Sequence, residues 1–167
     1  QSDLLQAVRG RNGDAPLCVL AAATPGDCFY MAIEAVRTAV KYMTPVMLLT
    51  DGYVANSSEP WQIPNIDELT PFPVSHFDDP RDFHPFLRDE NTLARVWAVP
   101  GTPGVEHRIG GLERARDTGH ISYDPQNHHR MTQIRKKKIL GIARHLERAK
   151  VDQGETDMDE REARAHR

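Results

Sequence analysis

Two short apolar runs that flank a stretch with helical periodicity, all within residues 17–55, constrain the fold most. The first run, Leu17–Ala23, follows a Gly-Asp-Ala-Pro sequence and predicts a buried strand. The second run, Val46–Thr50, predicts another strand, which Asp51 and Gly52 close. Strand, helix and strand in this order predict a parallel βαβ unit and an α/β fold. Strands that are apolar on both faces indicate a sheet that is covered on both sides.

The intervening stretch has the features of a helix. Thr24 is suited to cap it, Pro25 to occupy its first position, and Asp27 to complete a reciprocal capping contact. Thr44-Pro45 should end it, since the residue before proline avoids helical geometry. Three- and four-residue steps predict one buried apolar face, made by Cys28, Ala32, Ala35, Val36, Ala39, Val40 and Met43. The charged side chains expected on the opposite face are Glu34, Arg37 and Lys41.

Residues 57–123 break this regular pattern with prolines at short intervals. Disordered linkers are poor in aromatic residues. This segment is rich in them, so we expect an extended, ordered arm that packs on a neighbouring surface. The aromatic residues concerned are Trp61, Phe72, Phe77, Phe83, Phe86 and Trp97.

A last helix is predicted over residues 124–150, with Asp124 as its cap and Pro125 at its first position. The basic run Arg135–Lys138 is predicted to be a solvated face of this helix, and binding to an acidic surface or a polyphosphate is the alternative. Residues 151–167 are mostly charged or small and predict a disordered tail. The apolar stripe of the helix consists of Met131, Ile134, Ile139, Ile142 and Leu146.

Composition argues against several classes of protein. The net charge of −3 argues against a nucleic-acid-binding domain, and no apolar run approaches the ~18 residues of a membrane span. The two cysteines, Cys18 and Cys28, are too few for a four-cysteine cluster and fit no zinc pattern. With no leader sequence before the first predicted strand, we expect a cytoplasmic protein with reduced cysteines.

Candidate site residues lie at the ends of the predicted strands, because ligands of parallel sheets bind beyond the carboxyl ends. Asp51 and Gly52 are therefore candidates for cofactor binding, although Asp-Gly is also a common turn. Eight histidines show no HExxH pattern, so no metal site is predicted. The polar cluster Glu106, His107 and Arg108 is either an anion site or subunit contact, or an ion-paired surface loop.

Several blocks of the sequence occur in an order that characterises one family. They are Gln1–Val8, Arg11–Asp14, Ala21–Phe29, Met43–Trp61, Phe86–Glu90, Pro100–Gly111, and Asp124-Pro125 with Asn127, His128 and Met131. Together they resemble the α subunit of the 2-oxoacid:ferredoxin oxidoreductases, and the 2-oxoglutarate branch, also called 2-oxoglutarate synthase, matches best. The resemblance extends over residues 1–146.

This resemblance implies a thiamine-diphosphate-dependent enzyme that oxidatively decarboxylates 2-oxoglutarate to succinyl-coenzyme A and reduces ferredoxin. In the family, the α subunit holds the pyrimidine ring of thiamine diphosphate. The β subunit binds the diphosphate and Mg²⁺ and carries a [4Fe–4S] cluster. The implied partners are thus the β subunit, ferredoxin and coenzyme A.

The family's activating glutamate, its Tyr-Pro-Ile-Thr-Pro segment and its Gly-Pro-Ser-Thr-Gly loop match no residue here. The resemblance therefore implies a central fragment, in which residues 1–56 are the C-terminal part of the pyrimidine-binding domain. Such a fragment supplies scaffold and subunit interface, holds no catalytic residue, and binds no cofactor alone. Pyruvate or a branched-chain 2-oxoacid remains an alternative substrate. A non-enzymatic interaction or regulatory α/β module is the alternative function.

Overall fold

The computed structural model describes residues 2–72, 74–77 and 79–146. The predicted tail, residues 151–167, lies outside this range. The elements in chain order are α1 (Ser2–Arg9), β1 (Cys18–Ala21), α2 (Asp27–Tyr42), β2 (Val46–Leu49), α3 (Gly52–Asn56) and α4 (Pro125–Ile142). Between α3 and α4 the described chain is irregular apart from short 3₁₀ turns at Ile66–Glu68 and Pro80–Asp82.

The βαβ unit is present as predicted. Strands β1 and β2 pair in parallel, with Cys18 opposite Val46 and Ala21 opposite Leu49. One further hydrogen bond, from Ala22 N to Leu49 O at 3.3 Å, holds the strand ends together. Both strands are shorter than predicted, because the chain turns towards the next helix as soon as this pairing ends. The α/β fold class with a parallel sheet is confirmed.

The core forms where β1, α2 and α4 meet. Cys18, Tyr42 and Ile142 are its buried members, and Tyr42 and Ile142 are only 2% and 1% exposed. The Tyr42 hydroxyl lies 2.7 Å from His145 Nδ1, beyond the end of α4. The predicted apolar stripe of α4 thus contacts the sheet and α2. The partly buried side chains that complete the cluster are Leu20, Val46, Ile139 and Leu146.

The predicted buried face of α2 is wrong. The residues of α2 that are buried are Thr38 and Tyr42, whereas Ala32 is exposed and Val36 is 50% exposed. Arg37, predicted on the solvated side, is ion-paired with Glu34 and donates from Nη2 to Thr70 O at 3.0 Å. The cause is tertiary packing, because α4 and the arm choose which side of the helix is covered.

The helix boundaries also differ from the prediction. Helix α2 begins at Asp27, because Pro25 and Gly26 form a turn whose carbonyls accept from the next backbone N–H groups. The predicted capping contact remains, since Asp27 N donates to Thr24 Oγ1 at 3.2 Å. Helix α4 begins as predicted, with Asp124 accepting from two backbone N–H groups. It ends at Ile142 rather than near residue 150, and residues 147–150 are outside the described range.

The basic run of α4 is a solvated face only in part, which corrects the prediction. Lys136 and Lys137 are exposed, but Lys138 is only 8% exposed. Its Nζ donates to Met43 O, at the carboxyl end of α2, at 3.0 Å. Lys138 follows Met131 by two helical turns and therefore lies on the same face as the apolar stripe. An ammonium beside the last carbonyls of a helix is favourable to the helix dipole.

This burial predicts a specific pH dependence of stability. Desolvation, with the nearby Arg88 and Arg95 guanidinium groups, lowers the pKa of Lys138 to about 8. Between that pH and the ordinary lysine pKa of about 10.4, the unfolded chain binds a proton that the native chain lacks. Stability contributed by Lys138 therefore rises with pH across this interval. We expect Lys138→Met to remove a rise on the order of 1 kcal/mol between pH 7.5 and 9.5.

The measurement is urea unfolding of the chain at both pH values. Lys137→Met is the matched control, because Lys137 is exposed on the neighbouring helix position. The wild-type chain and the control should share one pH dependence, while the Lys138 variant should differ from both. An identical pH dependence in all three chains would show that Lys138 is not desolvated.

The arm packs against α2, as its aromatic content predicts. Trp97 donates from Nε1 to Val40 O at 3.0 Å, and the Trp61 and Phe29 ring centroids are 5.6 Å apart. Further aromatic contacts hold the arm to itself, such as Phe77 with Phe83 at 5.7 Å. Within the described residues, no helix has the combination of length and hydrophobicity that crossing a membrane requires.

Candidate functional site

The carboxyl edge of the sheet is formed by the turns that follow β1 and β2. Asp51 lies in the second turn, and its Oδ1 accepts from Val54 N at 2.7 Å. Asp51 is thus the N-cap of α3, so the common Asp-Gly turn is not what forms here. Gly52 is the first residue of that helix and is exposed. The observed role of the Asp51 carboxylate is to satisfy an orphan backbone N–H group.

Glu59 joins the arm to the first of these turns. Its Oε1 accepts from Thr24 Oγ1 at 2.8 Å and from Gly26 N at 2.5 Å. A carboxylate beside the first turn of α2 is favourable to the positive end of the helix dipole. The Gly26 N–H group, which a phosphate at this helix start would need, is therefore already bound to a side chain.

Sequence reasoning did not identify Glu59 as part of this edge. A Cβ on Gly26 would lie 2.6 Å from Trp61 Cδ1, so only glycine lets the arm approach the turn this closely. The only sequence signal was that Glu59 and Trp61 belong to a block that carries the family resemblance. The contact itself depends on how the arm folds back over α2.

The Glu106, His107 and Arg108 cluster is a loop anchored from within. Glu106 Oε2 accepts from Gly104 N at 2.8 Å, and the His107 ring packs edge-on against Phe83 with centroids 5.1 Å apart. Arg108 is exposed, and no ion pair among the described residues involves any of the three. Nor does a hydrogen bond in this part of the chain link the loop to Asp51 or Gly52. The structure keeps the two predicted candidate sites separate.

A groove of about 910 Å³ lies between α2 and the arm. Its walls carry four cations, contributed by Arg37, Lys41, Arg88 and Arg95. Apolar and aromatic side chains form the remaining wall, including Val40, Phe72 and Trp97. Sequence reasoning missed this groove, since its basic residues come from separate segments and form no motif along the chain.

Metal-ligating side chains do not converge in the described residues. No group of three or more His, Cys, Asp or Glu side chains lies close enough there to hold a metal ion. Cys18 is buried, and desolvation followed by the charge of Glu34 raises the pKa of its thiol. A thiol in such surroundings is disfavoured as a thiolate, which is the form that binds metals.

Comparison with known proteins gives the family. The model of the family described as pyruvate flavodoxin/ferredoxin oxidoreductase, thiamine diphosphate-binding, matches residues 1–124. Among curated relatives, the 2-oxoglutarate oxidoreductase subunit KorA of Mycobacterium tuberculosis is 54% identical over 91% of this chain and 23% of its own length. The 2-oxoglutarate synthase subunit KorA of Methanothermobacter thermautotrophicus is 28% identical over 95% of this chain and 41% of its own length.

A solved structure agrees with these relatives. It is a 2-oxoglutarate:ferredoxin oxidoreductase from Magnetococcus marinus with 2-oxoglutarate, coenzyme A and succinyl-CoA bound. The similarity has a TM-score of 0.79 at 31% identity, over 89% of this chain and 26% of that one. The present chain therefore spans less than half the length of the proteins it matches. The resemblance predicted from the sequence blocks is confirmed, and the chain belongs to the pyruvate flavodoxin/ferredoxin oxidoreductase thiamine diphosphate-binding family.

Proposed function

We propose that this chain is part of the α subunit of a 2-oxoglutarate:ferredoxin oxidoreductase, which converts 2-oxoglutarate to succinyl-coenzyme A and reduces ferredoxin. The observation that carries the proposal is the 54% identity to a 2-oxoglutarate oxidoreductase subunit over 91% of the chain. The solved structure that is similar in fold also carries 2-oxoglutarate and coenzyme A in its description.

The role proposed for these residues is to provide scaffold and subunit interface rather than catalytic groups. The carboxylates at the carboxyl edge support this role, because Asp51 caps α3 and Glu59 closes the turn after β1. Large apolar side chains exposed on the arm support an interface, for example Ile63 at 82% and Ile109 at 79% exposed. Exposed apolar surface of this kind marks sites of protein contact.

The loop of Glu106, His107 and Arg108 is proposed as one of these subunit contacts. Val105 anchors the loop at 2% exposure, while Arg108 and the neighbouring Ile109 face solvent. An arginine beside an exposed apolar side chain has the composition of interface cores, where arginine is enriched. The proposed neighbour is the β subunit of the same enzyme.

Thiamine diphosphate, Mg²⁺ and a [4Fe–4S] cluster are proposed to belong to the assembled enzyme. The described residues do not fit a metal or cluster by themselves, since their metal-ligating side chains do not converge and the chain has two cysteines. Thiamine diphosphate supplies the chemistry of decarboxylation when bound in such an enzyme. Ferredoxin and coenzyme A are the proposed partners in turnover, and a cytoplasmic location is proposed from the two free cysteines.

A chimera tests this proposal directly. The matched segment of the Mycobacterium tuberculosis subunit would be replaced by residues 1–146 of this chain and assembled with that enzyme's own partner subunit. We expect ferredoxin reduction that depends on 2-oxoglutarate and coenzyme A, at a rate within about tenfold of the parent enzyme, because every family block is retained. Pyruvate should support a lower rate than 2-oxoglutarate.

The isolated chain is the control, and it should give no turnover under the same conditions. A chimera that assembles with its partner but reduces no ferredoxin would refute the proposed enzyme. It would favour the alternative, a non-enzymatic α/β interaction module. Turnover by the isolated chain would refute the scaffold role instead.

A further inference from the structure

A tight hairpin in the arm places two arginine side chains next to each other. Arg88 and Arg95 face each other across an isolated antiparallel bridge. The turn between them is held by Asp89, whose Oδ1 accepts from Thr92 N at 2.7 Å and from Thr92 Oγ1 at 2.8 Å. Directly opposite residues of such a pair have Cβ atoms about 4.5–5.5 Å apart. The backbone therefore forces two like charges together.

No carboxylate compensates these two charges in the described part of the chain. Neither guanidinium forms an ion pair there; Arg88 Nη1 donates to Leu93 O at 2.8 Å, and Arg95 lies over the Phe86 ring at 5.2 Å. Desolvation, the neighbouring Arg95 and then Arg135 lower the pKa of Arg88 to about 10. Like charges directly opposite each other are destabilising, and an anion bound between them would relieve the repulsion.

Both arginines line the groove of about 910 Å³, and the acidic groups of that groove are already engaged. Asp89 accepts from the hairpin turn, and Asp82 lies 3.2 Å from His84 Nε2. The groove is within the range of about 300–1,000 Å³ that small-molecule sites occupy. It is open to a positively charged end with no competing carboxylate.

The opposite wall of the groove is aromatic and accessible. Phe72 and Trp97 are 38% and 37% exposed, and Val74 beside them is 38% exposed. Trp97 is fixed by its hydrogen bond to Val40 O. Flat aromatic surfaces bind planar rings by stacking, so a ligand with a ring at one end and negative charge at the other fits both walls.

We propose that this groove binds an organic phosphate, with the phosphate groups on Arg88 and Arg95 and the ring of the ligand against Trp97. Two adjacent guanidinium forks offer more donors than one carboxylate can accept, and they match the several oxygens of a diphosphate. The ligand class is a nucleoside diphosphate or a cofactor that contains one. This binding site is separate from the proposed role of the chain in the oxidoreductase.

Titration calorimetry on the full chain with four probes tests the proposal: ADP, adenosine, inorganic pyrophosphate and coenzyme A. We expect ADP to bind at least tenfold more tightly than adenosine or pyrophosphate, because each of those lacks one half of the contacts. Arg88→Gln and Arg95→Gln should each weaken ADP at least tenfold. Arg9→Gln, a charge-matched change on the exposed end of α1, should not. Coenzyme A binding as tightly as ADP would identify a diphosphate-containing cofactor as the source.

A second measurement does not depend on how the variants fold. Phenylglyoxal labels arginines, and mass spectrometry of the wild-type chain should show Arg88 and Arg95 protected by ADP while Arg9 is labelled equally with and without it. Equal labelling of all three arginines with and without ADP would overturn the proposal. So would equal affinities for ADP and adenosine, since the arginines would then contribute nothing.

Discussion

Replacing Gly119 by alanine is expected to lower the free energy of unfolding by about 2–4 kcal/mol. Gly119 has φ +71°, a left-handed conformation in which a Cβ is unfavourable. A Cβ at this position would also lie 2.2 Å from Phe86 Cδ2. Phe86 cannot easily move away, because the guanidinium groups of Arg95 and Arg114 lie over its ring at 5.2 and 5.6 Å.

Gly101→Ala is the matched control for this prediction. Gly101 also has a left-handed backbone, with φ +88°, but a Cβ there would meet no atom within 4 Å. It should lose only the backbone part, about 1 kcal/mol. Urea unfolding of both variants measures the difference. Equal losses in the two variants would mean that Phe86 does not pack on Gly119 in solution.

Replacing Tyr42 by alanine is expected to cost about 3–5 kcal/mol, the range for removing a large buried aromatic ring. Tyr42 is 2% exposed and lies between β1 and α4 in the core cluster. Tyr42→Phe should cost only about 1–2 kcal/mol, because it keeps the ring and removes the hydroxyl that lies 2.7 Å from His145 Nδ1. The measurement is the midpoint of urea unfolding at constant slope.

Val36→Ala is the control on the same helix. Val36 belongs to the apolar face predicted from sequence, yet it is 50% exposed, so its loss should fall within about 0.5 kcal/mol. The two variants therefore decide between the two faces of α2. A large loss at Val36 with a small one at Tyr42 would mean that the sequence periodicity, rather than the structure, identifies the buried face.

Local features of the sequence were sufficient to predict most of the regular elements. The capping contact of Thr24 with Asp27 and the N-cap at Asp124 were predicted because each involves residues a few positions apart. Helices α1 and α3 were not predicted, and α3 has only five residues. Such a short helix lacks a periodic pattern and depends on its Asp51 cap instead.

The candidate site was less predictable, because its contacts join residues distant in sequence. Glu59 contacts Gly26 across 33 positions, and Lys138 donates to Met43 across 95. Neither contact leaves a pattern in the neighbouring residues. Asp51 was singled out correctly as a strand-end residue, but its carboxylate serves the backbone of α3.

The sequence by itself determined the parallel βαβ unit, the start of α4 and the family, because periodicity, caps and ordered blocks are all local signals. Only the tertiary structure decided which face of α2 is buried, that Lys138 is covered, and that Arg88 and Arg95 share one groove. Burial and charge proximity depend on which segments fold against one another. A helical stripe has the same sequence whether a partner covers it or water does.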